Sequence, residues 1–306
     1  MTALVAACRA WWLAAWLCAG AASAHAASTS ARYCDRPSPL TAQQQDRLLQ
    51  FAAIARRELE AGDQDVALIA RSGIDLSRFD VRYSHAGVSL RASGNAPWSV
   101  RQLYFACDEG RPRLYDQGLA GFTLGTDDPS LGYVSIVWLP REDAVALERA
   151  ARDNARALRL LAADYSANAY PFSVRYQNCN QWVVELLAAA WGGLDDGEAL
   201  RARAQAWLAR QHYDPAALDV GSHALMFAGA FVPWIHFDDH PQEDRFALRF
   251  RTSLPASIEA FVRARAPGAR RVELCHDERR VVIHHGWEPL AAGCAPGPQD
   301  RVVSLD

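Results

Sequence analysis

The residue with the clearest chemical potential in the sequence is Cys179, within the string Tyr-Gln-Asn-Cys-Asn-Gln-Trp at residues 176–182. Apolar residues recur at helical spacing after it, and Asn178 has the type of side chain that caps a helix, so the string predicts a helix start. A cysteine in the first turn of a helix faces the positive end of the helix dipole, which lowers the pKa of a thiol. The pattern therefore predicts a nucleophilic cysteine.

A histidine that could serve as the base lies well before the cysteine in the chain. Residues 81–90 roughly alternate between polar and apolar types and lead to turn residues at 93–95, so they predict a strand that carries His85. A histidine on a strand beside a helical cysteine is an arrangement that nucleophilic catalysis by a thiol can use. We therefore expect Cys179 and His85 to form a nucleophile–base pair.

A hairpin after this strand would place a third polar side chain opposite His85. A turn centred on residues 93–94 pairs His85 with Gln102, whereas a turn one residue later pairs it with Tyr104. Both candidates lie on the same face of the sheet, because strand side chains alternate. We prefer Gln102, because its carbonyl oxygen can accept the imidazole N–H.

The first 26 residues predict a secretory signal. Arg9 supplies the positive flank, residues 11–22 form an apolar run, and small residues at 22–26 offer a cleavage site. The run is too short for a comfortable membrane span. We therefore expect cleavage and a periplasmic or secreted mature chain without a membrane span. The alternative is a retained N-terminal anchor.

The cysteine count separates one thiol from the others. Five cysteines follow the signal, and they are Cys34, Cys107, Cys179, Cys275 and Cys294. An odd count in an oxidising compartment leaves one thiol unpaired. Cys275 and Cys294 flank a predicted hairpin and can form a local bridge, and Cys34 and Cys107 then remain as a second pair. Cys179 is left as the free thiol, and the alternative to a nucleophile is an inert buried thiol.

Composition excludes several function classes. The chain contains no lysine, which excludes Schiff-base chemistry, Ser–Lys dyads and phosphate loops that need a lysine. Its 32 basic and 35 acidic residues give a formal net charge of −3, and the arginines are scattered, so no nucleic-acid partner is expected. The chain also lacks HExxH, GxSxG and CxxC motifs and a glycine-rich phosphate loop. We expect no cofactor.

One cluster contains residue types that bind metal ions, the His-Phe-Asp-Asp-His string at residues 236–240. Its spacing matches no established metal site. The preferred interpretation is a strand end followed by an Asp-capped turn before Pro241. His284 and His285 are adjacent, so they cannot both face one side of a strand. We therefore expect no metal site.

The order of elements predicts an α+β fold in which an antiparallel sheet packs against helices. Helices are expected at residues 42–61, 140–163, 179–191, 197–211, 222–228 and from 255, and strands at 66–71, 81–90, 98–106, 133–139, 231–236, 246–251, 271–276 and 280–285. Strands cluster before and after the cysteine helix, which favours an antiparallel sheet. We expect a signal at 1–26, a catalytic-type domain at 27–220 and an α+β extension at 221–306, either separate or packed on the same domain.

The two motifs together resemble the circularly permuted papain-like fold. That group includes permuted NlpC-type peptidases, PPPDE peptidases and lecithin–retinol acyltransferase-like proteins. The Asn-Cys-Asn at residues 178–180 is similar to that of the PPPDE group, and the resemblance covers residues 66–193. The mature chain as a whole resembles an uncharacterised exported bacterial family, the domain of unknown function 2145, which implies no established activity.

The papain-like resemblance implies that Cys179 is the nucleophile, His85 the base and a polar residue on the following strand the orienting group. Gln102 departs from family members that have a histidine or a carboxylate there, and a neutral partner stabilises an imidazolium less well. The backbone N–H of Cys179 is one expected oxyanion donor. The second is expected to be the side chain of Gln177 or Asn178.

Aromatic residues beside the two motifs are candidates for the wall of a pocket. Tyr176 and Trp182 flank the cysteine, and Tyr104 is the second candidate opposite the histidine. The alternatives are that Tyr176 and Trp182 belong to the core and that Asn178 is only a helix cap.

The function that these residues favour is an exported thiol hydrolase or acyltransferase that attacks an amide, ester or thioester carbonyl. By family analogy, cell-wall peptide or an envelope acyl group is the expected substrate class. The alternative is a catalytically silent envelope binding or assembly protein that retains the fold. The neutral side chain of Gln102 in the orienting position favours that alternative.

Overall fold

The computed structural model describes residues 40–305. The predicted signal at 1–26 and the predicted disulfide partner Cys34 lie outside the described residues. The strands are β1 (Val66–Arg71), β2 (His85–Leu90), β3 (Ser99–Ala106), β4 (Arg111–Gln117), β5 (Gly132–Trp138), β6 (Ala216–Asp219), β7 (Arg249–Thr252), β8 (Arg270–His276), β9 (Arg280–His285) and β10 (Arg301–Ser304). The helices are α1 (Ala42–Ala61), α2 (Leu119–Leu124), α3 (Arg141–Arg152), α4 (Asn154–Arg159), α5 (Cys179–Trp191), α6 (Leu200–Arg210), α7 (His223–Gly229), α8 (Gln242–Ala247) and α9 (Pro255–Arg265).

Eight strands form one antiparallel sheet in the order β10-β9-β8-β5-β1-β2-β3-β4, and β6 pairs with β7 in a separate ribbon. The central strands are buried along their whole length, which matches their continuous apolar sequences. The predicted α+β fold with an antiparallel sheet packed against helices is therefore confirmed.

Helices cover both faces of the sheet and create two hydrophobic cores. On one face, α1 and α2 pack on the sheet, with Phe51, Ile69 and Ile136 in the shared core. On the other face, α5 packs against β2 and β3, and Trp182 and Val88 lie in its core. Because strand side chains alternate, a residue on β2 faces either α2 or α5 according to its parity.

The C-terminal segment belongs to the same sheet as the cysteine-bearing part of the chain. Strand β8 pairs with β5 from Gly132↔His276 to Trp138↔Arg270, and β9 and β10 extend the sheet beyond it. The described residues 40–305 all belong to one compact unit. The extension from residue 221 thus packs on the same domain.

Several predicted elements differ from the structure, each for a local reason. The single helix expected at residues 140–163 is divided at Asp153, which ends α3 with a non-helical ψ of 102° and caps α4. No strand forms at residues 231–236, where Pro233 interrupts the apolar run. The unpredicted β4, β6 and β10 have polar or very short sequences that carry little alternation.

One predicted disulfide is present, between Cys275 at the end of β8 and Cys294, with a Cα–Cα distance of 5.7 Å. Cys107 is also bonded in a disulfide. Cys179 is the free cysteine of the described residues, and it is buried. Within residues 40–305, none of the helices is both long and apolar enough to cross a membrane.

Candidate functional site

The start of helix α5 is fixed by the side chain of Asn178. Its Oδ1 accepts the Gln181 N–H at 2.7 Å, which is the hydrogen bond of an N-cap. Its Nδ2 donates to Thr252 Oγ1 at 2.9 Å and to the Ser253 carbonyl at 3.2 Å. Asn178 therefore caps the helix and ties it to the end of β7, and its donors are not directed at an oxyanion.

Cys179 occupies the first position of α5 and lies against the beginning of β2. Its sulfur is 4.0 Å from the carbonyl oxygen of Ser84, the residue before His85. Asn180 Nδ2 donates to the same carbonyl at 3.1 Å and to Ser253 O at 3.2 Å, so it holds the helix start against the strand. The structure thus brings the predicted nucleophile to the strand that carries the predicted base.

The expectation of a lowered thiol pKa is wrong in direction. Burial raises the pKa of Cys179 to about 11, although the backbone N–H groups of Asn180, Cys179 and Ala86 and the charge of Arg71 act the other way. The first N–H groups of a helix have no partner within the helix, so those of Cys179 and Asn180 are free to face an anion. Desolvation outweighs them in this closed site.

His85 is held by a chain of two amide side chains. Its Nε2 lies 2.8 Å from Gln102 Oε1, and Gln102 Nε2 donates to Gln117 Oε1 at 2.6 Å. Because Gln102 uses its nitrogen for Gln117, its oxygen accepts the His85 Nε2–H. This tautomer leaves the Nδ1 lone pair of His85 available to take a proton.

The register that led to Gln102 is nevertheless wrong. The ladder pairs Val88 with Arg101, which places Tyr104 and not Gln102 directly opposite His85. Gln102 reaches the imidazole from the diagonal position on the same face. The observed register is the alternative one, in which the turn centres on residues 94–95.

Tyr104 and Phe122 enclose the imidazole. The Tyr104 ring stacks on His85 with centroids 4.8 Å apart, and the Phe122 ring of α2 lies at 6.0 Å. Burial and then the charge of Arg71 lower the pKa of His85 to about 3, against the opposing effect of the Gln102 hydrogen bond. The imidazole is therefore neutral at physiological pH.

Thiol and imidazole do not form an ion pair in this state. The described residues show no hydrogen bond between the Cys179 sulfur and the His85 ring; the sulfur contacts the backbone on either side of His85 instead. Both groups are neutral at pH 7, since one pKa is raised and the other lowered. The His85 ring lies against Phe122 of α2, whereas Cys179 belongs to the core on the α5 side of the sheet.

Three other predicted site residues are part of the scaffold. Gln177 donates to Leu160 O at 2.8 Å and accepts the Ala162 N–H at 3.0 Å, so its side chain is not available to an oxyanion. Trp182 is fully buried and donates to Ala157 O. The Tyr176 ring is also largely buried.

The metal-type cluster is a hydrogen-bonded turn. The His236 ring stacks on Tyr176 at 4.4 Å, and His240 Nε2 lies 2.7 Å from Asn168 O. Asp239 accepts the Tyr170 N–H at 2.8 Å. Asp239 and His240 also lie 3.8 Å apart, but no group of three or more metal-binding side chains converges within residues 40–305.

Sequence reasoning missed two residues of the site, Asn180 and Arg71. Asn180 stands within the Asn-Cys-Asn string and fixes the Ser84 carbonyl beside the sulfur. Arg71 ends β1 directly opposite His85 in the antiparallel ladder. The motif could have indicated Asn180, but Arg71 is separated from its neighbours in sequence and only the sheet brings it to the site.

Comparison with known proteins assigns a family. The family model of an uncharacterized protein conserved in bacteria (DUF2145) matches residues 58–262. The chain belongs to this family. The matched range contains β1, β2, β3 and α5 and thus every residue of the site described above. Neither the curated proteins nor the solved structures contain a match.

Proposed function

We propose that this DUF2145 protein is an exported thiol hydrolase or acyltransferase with a permuted papain-like arrangement of Cys179 and His85. The observation that carries the proposal is the free thiol at the first position of α5, whose sulfur lies against the backbone of the strand that carries the oriented His85. His85 donates from Nε2 to Gln102 at 2.8 Å, which directs its basic Nδ1 away from the amide chain. The only free thiol of residues 40–305 lies at the backbone of the same strand.

The reaction consists of one acyl transfer to sulfur and one from it. In this proposal the resting site rearranges so that His85 Nδ1 takes the proton of the Cys179 thiol while the sulfur forms a bond to the substrate carbonyl carbon. The imidazolium then gives that proton to the leaving nitrogen, oxygen or sulfur as its bond to the carbonyl carbon breaks. Water, or another acceptor, attacks the resulting thioester with His85 again as base, and Cys179 regains its proton.

The backbone around the sulfur supports the charged stage of this reaction. The N–H groups of Cys179, Asn180 and Ala86 already favour a negative charge at the sulfur. They act without reorganisation, because helix α5 and strand β2 fix them. We assign the oxyanion stabilisation to backbone donors, and not to the side chains of Gln177 or Asn178.

The second candidate is a catalytically silent envelope binding protein that keeps the same fold. It is favoured by the high pKa of Cys179, about 11, and the low pKa of His85, about 3, which oppose charge separation in the resting site. In that case the buried thiol is an inert core residue and the Gln102 hydrogen bond is structural.

Acetylation by p-nitrophenyl acetate separates the two candidates. We expect the folded protein, mixed with this ester near pH 7 and quenched in acid, to carry one acetyl group on Cys179 by peptide mass mapping. Cys179→Ser should prevent the label, and the urea-unfolded chain gives the background rate of an ordinary thiol. A folded protein that reacts more slowly than the unfolded chain contradicts the enzyme and favours the binding protein.

A further inference from the structure

A buried cation without a carboxylate partner lies in the candidate site. Three arginine side chains of residues 40–305 are buried, and they are Arg71 at 5%, Arg201 at 8% and Arg271 at 6% exposure. Arg201 binds Glu185 at 2.9 Å, and Arg271 binds Glu259 at 2.9 Å. Arg71 has no carboxylate partner among the described residues.

The hydrogen bonds of Arg71 leave part of its guanidinium unused. Nη1 donates to the carbonyls of Ser72 and Gly125, and Nη2 donates to Tyr104 Oη at 2.9 Å. A guanidinium has five N–H donors. Nε is buried without a partner, and one N–H of the neighbouring Nη2 also remains. The unpaired Nε–H can donate to a carboxylate oxygen, the acceptor that guanidinium groups commonly bind.

The surrounding backbone makes room for this side chain. A Cβ at Gly73 would lie 2.4 Å from Arg71 Nη1, and a Cβ at Gly125 would lie 2.5 Å from Nη2. The absence of a side chain at both glycines therefore leaves room for the guanidinium. The guanidinium carbon also lies 5.3 Å from the centre of the Phe122 ring, which also contacts His85.

Arg71 is close to the reacting groups. It is the register partner of His85 across β1 and β2, and its Tyr104 acceptor stacks on the imidazole. The Cys179 sulfur contacts the backbone on both sides of the same histidine. The charge of Arg71 acts on both the Cys179 thiol and the His85 imidazole, so an anion held by Arg71 would lie near both groups.

We propose that Arg71 binds a carboxylate of the substrate that Cys179 attacks. The inference rests on the proposed function for the identity of the reacting group, and it adds the substrate class: an acyl or peptidyl compound with a carboxylate near the scissile bond. An unpaired buried cation is costly. A substrate carboxylate supplies the missing partner, and neutral analogues do not.

Two alkylating reagents that differ only in charge test this inference. The measured quantity is the ratio of the alkylation rates of Cys179 by iodoacetate and by iodoacetamide. We expect this ratio to be about tenfold higher in the folded protein than in the urea-unfolded chain, which is the effect of one charge-assisted hydrogen bond. Arg71→Met should lower this ratio to that of the unfolded chain. Arg78→Met removes the same charge from an exposed position and should leave the ratio unchanged.

The wild-type protein alone provides a second measurement if Arg71→Met does not fold. Acetate should protect Cys179 from iodoacetamide, relative to chloride at equal ionic strength, and phosphate should protect it less. A ratio equal to that of the unfolded chain, or no protection by acetate, overturns the proposal. Equal protection by phosphate overturns the assignment to a carboxylate.

These outcomes are separable from failure of the thiol-enzyme proposal. His85→Ala removes the base, so it should slow acetylation by the neutral ester while leaving the iodoacetate preference intact. A protein that keeps the preference but is never acetylated would have an anion site without the enzyme. A protein that is acetylated without the preference would be the enzyme without the carboxylate specificity.

Discussion

Two buried arginines near helix α5 differ in their partners. Beneath helix α5, Glu185 accepts hydrogen bonds from Arg201 at 2.9 Å, Gln205 at 2.7 Å and Gln181 at 3.1 Å. Beside the start of the same helix, Arg71 has carbonyl and hydroxyl acceptors but no carboxylate among the residues described. The first cluster is complete within the protein, whereas the second lacks a counter-charge.

This difference distinguishes a scaffold from a site. A buried ion pair with all its hydrogen bonds holds elements in one arrangement, and Glu185 connects α5 to α6 through Arg201. An incomplete cluster costs stability, which is a common property of sites that bind or react. The comparison therefore supports our proposal of a site at the start of α5, with structural support along the buried side of the helix.

The largest expected effect is on the scaffold. Glu185→Gln should lower the free energy of unfolding by about 3–5 kcal/mol, because it leaves the Arg201 charge buried and unpaired. Urea unfolding followed by tryptophan fluorescence measures the loss. The matched control is the double variant Glu185→Met with Arg201→Met, which removes both charges and should recover part of it. Wild-type stability in Glu185→Gln would show that the ion pair contributes nothing.

Acid should weaken the fold through the histidine of the site. The pKa of His85 is lowered to about 3 in the folded protein. As the pH falls below about 6.5, the unfolded chain therefore binds a proton that the folded chain does not bind until about pH 3. Stability is thus fully present above about pH 6.5 and falls toward pH 3, by up to about 1.4 kcal/mol per pH unit for this proton.

The free energy of unfolding in urea, measured as a function of pH in wild type and His85→Gln, tests this loss of stability in acid. His276, whose pKa is lowered to about 4, contributes in the same direction, so the variant should flatten the profile only in part. An unchanged slope in His85→Gln means that the folded His85 accepts a proton as easily as the unfolded chain.

The reactivity of the site should depend on the base more in acyl transfer than in alkylation. Because His85 is neutral at rest, His85→Ala should slow acetylation by p-nitrophenyl acetate about 10²-fold, the range of general-base catalysis. The pH profile of iodoacetamide labelling should barely move, since no imidazolium stabilises the resting thiolate. A profile that shifts to higher pH would instead reveal a preformed ion pair.

A smaller effect is expected from removing the unpaired cation. Arg71→Met should change the free energy of unfolding by about 1 kcal/mol or less, because the lost hydrogen bonds are offset by removal of an uncompensated charge. Urea unfolding in parallel with Glu185→Gln gives the comparison directly. If Arg71→Met is the more destabilising variant, Arg71 belongs to the scaffold.

Local patterns predicted the parts of the site that depend on neighbouring residues. Asn178 was recognisable as a cap, and the odd number of cysteines indicated Cys179, which is free in the structure. The strand with His85 followed from alternation. These features are determined over a few residues, or by a count, and need no knowledge of the packing.

Other features arise from long-range packing that sequence reasoning did not include. Burial, which depends on both faces of the sheet, reversed the expected direction of the Cys179 pKa. Arg71 meets His85 only through the β1–β2 ladder, and its lack of a carboxylate is a property of the whole neighbourhood. The turn residues left two β2–β3 registers open, and the structure has the one that pairs His85 with Tyr104.

The smallest predicted effect concerns Gln102, which orients the base without a charge. Gln102→Ala should slow acetylation of Cys179 by about tenfold, a smaller effect than that of His85→Ala. The imidazole keeps its stacking on Tyr104 but loses the partner that fixes its tautomer. Gln102→His supplies an orienting ring instead, and we expect it to restore part of the rate. The initial rate of p-nitrophenolate release measures both. If Gln102→Ala reacts at the wild-type rate, the 2.8 Å hydrogen bond satisfies a buried polar group and has no part in the reaction.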